Sequence, residues 1–343
     1  MNNTHTLEYL KIMQALPLDV KVRMTQTRIR EWVNYWGESR VAVSFSGGKD
    51  STVLLHLVRD LYPNIKAVFS NTGLEYPEIQ SFVRSFDNVE IIYPTQNFVS
   101  AITEKGYPLI SKEVSAIIRM ARKYIERGDA SENAQYRVPY RQICGIGEFS
   151  HRENMVINGV VEVGKKRYSK EKYKPLLDMD FRISEECCDI TKKQPLHDWQ
   201  KSTGHDRIMV GTLAEESALR TRAWIRTGCN SFHGDDPKSR PLSFWTEQDI
   251  LQFIKANGIE IASVYGNIIE VTRRGICSLK TTACSRTSCI YCPMGAQFDT
   301  DATRYQRLKK THPKQYDFCI GGGGMTNTVF GLQRKKGLGF IMF

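Results

Sequence analysis

The sequence predicts an α/β protein built on a doubly wound parallel sheet, with a helical N-terminal extension and a cysteine-rich, basic C-terminal region. Two observations carry that expectation. A short β-branched and aromatic run at residues 40–45 passes directly into a glycine loop at residues 46–51; Leu54, Leu57, Val58 and Leu61 then recur at the i, i+3, i+4, i+7 spacing of a helix that buries one face. Further strand-like runs at residues 65–69, 89–93 and 208–210 are separated by stretches long enough for crossover helices, the pattern of a parallel sheet.

Taken in order, the first ~35 residues read as helical, with Val20, Val22, Ile29 and Trp32 interrupted by charges until Gly37-Glu38-Ser39 stops the pattern. Residues 1–39 are therefore expected as an N-terminal extension. Residues 40–271 hold the strand and helix series and close with a helix at 246–257, where Thr246 and Asp249 have capping-box spacing and Gly258 is the stop signal. Beyond residue 272 the texture becomes cysteine-rich, then basic, then glycine-rich at 321–324, so residues 272–343 are expected as a C-terminal appendage. There is no internal repeat and no low-complexity tract.

With 343 residues, 41% hydrophobic and 25% charged, the chain has ordinary globular usage and enough length to bury a core, which argues against disorder. No apolar run approaches the ~18 residues of a membrane span. The polar start Met1-Asn2-Asn3-Thr4-His5 lacks the pattern of an export signal, so a cytoplasmic protein without membrane contact is expected. In a reducing compartment, nine cysteines point to metal binding or chemistry rather than disulfides. Net charge is 48 − 37 = +11, and residues 303–343 carry eight Lys/Arg against the single acid Asp317. Such a patch attracts polyanions, so a DNA or RNA partner and a merely solvated basic tail are equally compatible with it.

The loop Ser46-Gly47-Gly48-Lys49-Asp50-Ser51, set between strand and helix, has a physical use. Small residues let bare backbone N–H groups approach an anion, and the helix N-terminus adds positive potential. Its spacing is neither the Gly-x-x-x-x-Gly-Lys-Ser/Thr of P-loop NTPases nor the Gly-x-Gly-x-x-Gly of dinucleotide folds. It resembles the loop of the PP-loop ATP pyrophosphatases, and the chain as a whole resembles the phosphoadenosine-phosphosulfate (PAPS) reductase family, whose fold is adenine nucleotide alpha hydrolase-like. In that family the loop grips the β- and γ-phosphates as a leaving pyrophosphate while a nucleophile attacks the α-phosphorus of ATP. The resemblance implies that Ser46, Gly47, Gly48 and Ser51, with Ser44 at the strand end, bind the nucleotide. It also implies that Lys49 neutralises charge and that Asp50 holds Mg2+.

Two further segments extend the resemblance. Residues 71–78, Asn-Thr-Gly-Leu-Glu-Tyr-Pro-Glu, follow the second strand, where open α/β sheets gather their ligand loops. They are similar to the Asp-Thr-Gly-x-x-Phe/Tyr-Pro-Glu segment of PAPS reductases and ATP sulfurylase subunits, which implies Thr72, Gly73 and Glu75 near the adenosine. Residues 211–220 resemble the family's Gly-x-Arg-x-x-Glu-Ser segment and imply Gly211 at the substrate phosphate or sulfate. Leu213 stands where an arginine is usual, and among Arg220, Arg222 and Arg226 we assign Arg220 the substrate role.

Cys187-Cys188, followed by Lys192-Lys193 and Pro195-Leu196, resembles the Cys-Cys-x-x-Arg-Lys-x-x-Pro-Leu segment of assimilatory sulfonucleotide reductases, where paired cysteines join a distant Cys-x-x-Cys around a 4Fe–4S cluster. Cys289 and Cys292 supply that second pair, and four thiolates suit either such a cluster or Zn2+. Adjacent cysteines diverge too far to share one tetrahedral Zn2+ readily, which favours iron–sulfur with zinc as the alternative. A rival local set is Cys277, Cys284, Cys289 and Cys292. Cys144 and Cys229 read as small buried hydrophobes. Cys319 reads as core packing, with a mobile sulfur carrier as the other reading. The seven histidines show no metal-ligand spacing.

Three functions follow. The first is ATP-dependent adenylyl or sulfur transfer, with a sulfur donor such as a cysteine desulfurase and a DNA or RNA acceptor, since the loop is intact. The second is reduction of APS or PAPS, ranked lower because residues 337–343 hold no Glu-Cys-Gly-Leu-type nucleophile motif. The third is a nucleic-acid-binding accessory subunit with a non-catalytic nucleotide site.

Overall fold

Chain order places every element that shapes the site, in a computed structural model that describes residues 5–128, 134–146, 170–234, 236–295 and 304–320. Helices α1 (Leu7–Gln14) and α2 (Leu18–Trp36) lead into strand β1 (Val41–Ser44) and helix α3 (Lys49–Arg59). Strand β2 (Lys66–Ser70), helix α4 (Pro77–Arg84) and strand β3 (Val89–Ile92) continue the alternation. Helices α5 (Phe98–Lys105), α6 (Lys112–Glu126) and α7 (Ala134–Cys144) precede a π-helical turn (Asp189–Lys193) that runs into α8 (Gln194–Thr203). Then come β4 (Arg207–Val210), α9 (Ala218–Thr227), β5 (Asn230–Ser231), β6 (Lys238–Ser239) and α10 (Glu247–Asn257). The hairpin β7 (Ile268–Arg273) and β8 (Ile276–Thr281) and helices α11 (Arg304–Thr311) and α12 (Pro313–Ile320) follow.

The main sheet runs β3-β2-β1-β4-β6-β5, parallel except for the edge strand β5. Helices cover both faces, as an almost wholly parallel sheet requires. Side-chain alternation along β1 decides the layers. Val41 and Val43 join the core made with Ile29 and Trp32 of α2, Leu54 and Leu57 of α3, and Ile250 and Ile254 of α10. Ala42 faces the other way and packs with Val68, Ile208 and Trp199 of α8. Each fully buried aliphatic side chain stabilises the fold by roughly 1.5–3 kcal/mol.

The order has a consequence for function. Crossovers leave β1 and β4 toward opposite edges of the sheet, so a crevice opens at their carboxyl ends, the position where open α/β sheets hold ligands. The register Ser44↔Val210 brings the loop after β1 beside the loop after β4.

The four strands expected from sequence form within a residue or two of their expected ends, and the helix at 246–257 has both halves of its capping box in place with Gly258 left-handed behind it. Sequence reading did not anticipate α5 to α7, the short β5 and β6, or the β7–β8 hairpin. Residues 1–39 place Leu10, Met13, Ile29, Trp32 and Val33 in the same core as the sheet, and residue 272 falls inside β7. The glycine run at 321–324 and the basic residues beyond it lie outside the described residues, as does the side chain of Cys319. Among the described residues, no helix is long and apolar enough to cross a membrane.

Candidate nucleotide and thiol site

β1 ends at Ser44 and α3 starts at Lys49, so residues 45–48 make the whole turn. Gly47 has φ +69°, and a Cβ there would meet Val83 Cγ2 at 2.8 Å and Ile79 Cγ2 at 2.9 Å; only glycine fits. Gly48 is the N-cap and brings no capping side chain, which leaves the first-turn N–H groups of α3 to other partners. Sequence led us to expect bare amides. Instead, Ser46 N–H donates to Ser51 Oγ at 3.2 Å, Gly48 N–H to Ser46 Oγ at 3.4 Å and Lys49 N–H to Tyr265 Oη at 3.2 Å. These partners are hydroxyls, which exchange hydrogen bonds by rotating about one bond.

Gly211, the first residue after β4, is pressed against this turn. A Cβ there would stand 2.8 Å from both the Asp50 carbonyl oxygen and Ser51 Cα, so the two loops touch backbone to backbone. Lys49 is buried, and its ammonium lies 3.1 Å from Glu247 Oε1 and 3.1 Å from the Ser285 carbonyl oxygen. Burial opposes its charge, yet Asp50, Glu247 and Tyr265 together hold its pKa above the ordinary lysine value. Asp50 sits 3.9 Å from that ammonium. Its Oδ1 is sealed from solvent without a hydrogen-bond partner, and burial pushes its carboxyl above the usual aspartate value. A buried carboxylate oxygen without a hydrogen-bond partner, at a glycine turn between strand and helix, is a place for a cation.

Arg220, in the first turn of α9, pairs with Glu216 and acts on Asp50, so it belongs to this neighbourhood. Leu213, at the family's arginine position, is buried in the main core and brings no charge.

Beside the loop lies a cavity of about 190 Å3, whose lining includes Ser44, Ser46, Glu75, Tyr76, Lys192 and Thr287. Thr72 and Gly73 shape the neighbouring turn and do not line that cavity. The Glu75 carboxylate accepts from Thr72 N–H at 3.0 Å and from Thr72 Oγ1 at 2.9 Å, while Gly73 N–H donates to Asn71 Oδ1 at 2.9 Å. Lys192, in the π-helical turn, reaches Glu75 Oε1 at 3.3 Å, and its ammonium feels the charge of Cys289. Burial opposes its charge, but Cys289 and Glu75 raise its pKa above the lysine norm. One cation thus joins the cavity to the cysteines. A larger cleft of about 500 Å3, lined by His56, Asp60 and Glu260 among others, lies at the far end of α3.

The four cysteines share one electrostatic neighbourhood. Cys187 is buried in a satellite core with Leu74, Phe98, Ile290, Tyr291 and Tyr305. A hydrogen bond from Cys187, followed by the cations Lys112 and Lys192, draws the Cys188 thiol down to about 6. The same bond, then burial and the charges of Cys188, Cys289 and Cys292, pushes Cys187 up. Burial, and then Cys289, pushes Cys292 up to about 11. Ile290 N–H donates to the Leu74 carbonyl at 2.8 Å, which ties the Cys-x-x-Cys turn to the 71–75 turn. Among the described residues, no group of three or more His, Cys, Asp or Glu is gathered at metal-binding geometry. The thiols are neighbours rather than a preformed ligand cage. Their number, and the lysines beside them, suit a negatively charged thiolate cluster. Of the rival set, Cys277 is exposed on β8 and Cys284 donates to the Arg286 carbonyl. Cys229 is buried in the main core, and burial pushes it up to about 11.

Sequence reading missed Glu247, Tyr265, Arg286, Thr287 and Lys112. Glu247 opens a helix whose cap was legible, but nothing local says that this helix end faces residue 49. Tyr265, Arg286 and Thr287 carry no motif at all.

The sequence matches the phosphoadenosine phosphosulfate reductase domain over residues 40–105 and 150–294, more than half of the chain. The chain belongs to that family, a family of enzymes with nucleotide substrates. An uncharacterized protein of Methanocaldococcus jannaschii is 29% identical over 72 residues, covering 20% of this chain and 18% of that one, so the match spans under a fifth of that relative. A PAPS reductase from Candida auris, solved as a phosphate complex, aligns with a TM-score of 0.34 at 10% identity over 73% of this chain and 91% of that chain.

Proposed function

We propose that the protein binds ATP or a related adenylate, with its phosphate tail on residues 46–51, and acts in sulfur transfer by ATP pyrophosphatase chemistry. One observation carries this reading: the buried Lys49 ammonium and the orphaned Asp50 carboxylate lie side by side at the open end of α3. A nucleophile would attack the α-phosphorus; the bond from that phosphorus to the bridging oxygen would break, and pyrophosphate would leave with the electron pair. Ser44, Ser46, Gly47, Gly48 and Ser51 would contact the nucleotide, while Lys49 and Arg220 would offset the charge of the leaving group. Asp50 would hold Mg2+. Thr72, Gly73, Glu75 and Gly211 would shape the adenosine and α-phosphate side.

Cys187, Cys188, Cys289 and Cys292 would hold a 4Fe–4S cluster, with Zn2+ as the alternative occupant; the cluster would supply a centre able to bind sulfur or exchange an electron. The acceptor, whether DNA, RNA or a small molecule, and a sulfur donor such as a cysteine desulfurase complete the proposal, together with a cytoplasmic location.

The second reading is sulfonucleotide reduction, favoured by Lys192, which pairs with Glu75 in the cavity wall and is held charged by Cys289. Anaerobically purified protein separates the two. Pyrophosphate released from ATP, with or without nucleic acid, supports the first; sulfite released from APS or PAPS supports the second and rejects the first.

A further inference from the structure

We propose that Arg286 binds the distal phosphates of the nucleotide and makes the site discriminate by phosphate number. The inference rests on the nucleotide reading above and extends it to a residue outside every recognised motif.

Arg286 lies on the strap that follows β8. Ala283 N–H donates to the Tyr265 carbonyl and Cys284 N–H to the Val264 carbonyl, both at 3.1 Å, and Cys284 Sγ donates to the Arg286 carbonyl at 2.7 Å. The backbone is therefore fixed before the side chain is considered. On one side, the Ser285 carbonyl accepts from Lys49 Nζ at 3.1 Å. On the other, Thr287 Oγ1 is 2.7 Å from Tyr265 Oη, the hydroxyl that accepts the Lys49 N–H. The two neighbours of Arg286 thus reach both ends of Lys49.

Between them the Arg286 side chain stays 63% exposed, with Glu216 Oε2 at 3.8 Å as its ion-pair partner. Glu216 is already paired with Arg220. A pair that long at that exposure contributes little to stability, so it does not explain why an arginine is held here. The charge nevertheless acts on Asp50, and the residues on either side of Arg286 are tied to the two ends of Lys49. Thr287 and Ser288 line the nucleotide cavity, and Arg286 precedes them on the side of Lys49 and Glu216. A tail that starts in the cavity and crosses the loop would meet this guanidinium last, and a planar fork suits terminal phosphate oxygens.

Binding of ATP and of AMP to the full chain and to the R286A and R286K variants, by calorimetry, tests this. Thermal melts of each variant check that the exposed substitution leaves the fold intact. Wild type is expected to prefer ATP. R286A is expected to lose about 10-fold in ATP affinity, the scale of a charge-assisted contact, while AMP binding holds. R286K, which keeps the charge without the fork, is expected to fall between. An R286A variant that binds ATP as wild type does, or loses ATP and AMP by one factor, overturns the inference and leaves the nucleotide reading standing. A wild-type protein that binds both equally overturns the inference alone, and one that binds neither overturns both, before any substitution is made.

Discussion

The Lys49 ammonium rests 3.1 Å from the Glu247 carboxylate, at the first residue of α10. A phosphate tail would have to take Lys49 from that partner and accept a carboxylate nearby. The Glu247→Gln variant removes the competing charge and keeps the shape. ATP affinity is expected to rise several-fold, read by calorimetry at low salt, where the charge effect is largest. Unchanged or weaker binding would mean that Glu247 positions Lys49 rather than competes for it.

Burial raises the Asp50 carboxyl above the usual aspartate range. The folded protein therefore holds that proton more tightly than the unfolded chain, and ionising the group opposes folding. Its contribution is most favourable below the ordinary aspartate pKa of about 4 and is lost as pH rises through the folded value. At pH 7 the Asp50→Asn variant is expected to melt a few degrees higher than wild type without ligand. It is also expected to turn over at least about 100-fold more slowly, the scale of losing one preorganised charge. A lower melting temperature at neutral pH would refute the electrostatic account.

Gly211 joins the loops after β1 and β4 by contact with the Asp50 carbonyl and Ser51 Cα. Backbone atoms cannot move aside as a flexible side chain does. Gly211→Ala is expected to destabilise by about 1–3 kcal/mol, the range for overpacking, seen as a lower denaturant midpoint at constant slope. Nucleotide binding is expected to weaken with it, because the loop must shift. Ala at Gly128, where nothing stands within 4 Å but φ is +71°, would report backbone strain alone.

What the sequence made legible was local. Residues 46–51, the strands beside them and the α10 capping box are contiguous signals whose physics is complete within a few residues. The Cys187-Cys188 and Cys289/Cys292 pairs were legible only through family resemblance, and in the fold their charges act on one another. What could not be read was long-range: Tyr265 and Lys49 are 216 positions apart, and Ser285 and Lys49 are 236. No periodicity encodes such contacts, because chain topology creates them. The same limit explains why the Lys49 amide looked bare when Tyr265 occupies it.

The thiols offer a direct test of the metal. Protein purified without oxygen is expected to be brown and to carry iron and acid-labile sulfide. Serine at Cys187, Cys188, Cys289 or Cys292 is expected to remove that iron, whereas serine at the exposed Cys277 is expected to retain it. Colourless protein with stoichiometric zinc would replace the cluster with Zn2+. Loss of metal from a Cys277→Ser variant would revive the local set with Cys284.

Glu247 faces the loop because α10 is held from behind. Lys21 of α2 donates to Asp249 Oδ2 at 2.7 Å, and the two side chains are 2% and 10% exposed. Asp249 Oδ2 also accepts from Thr246 N–H at 2.6 Å, closing the cap of the same helix. Removing the cation leaves a carboxylate buried without its counter-charge, a change that costs about 3–5 kcal/mol. Lys21→Met keeps most of the side-chain volume, so packing loss cannot account for a drop of that size. The double variant Lys21→Met with Asp249→Asn removes both charges and is expected to recover much of the stability, measured as a coupling in denaturant unfolding. Recovery of stability with nucleotide affinity still above that of wild type would show that the pair also sets where α10 presents Glu247 to Lys49.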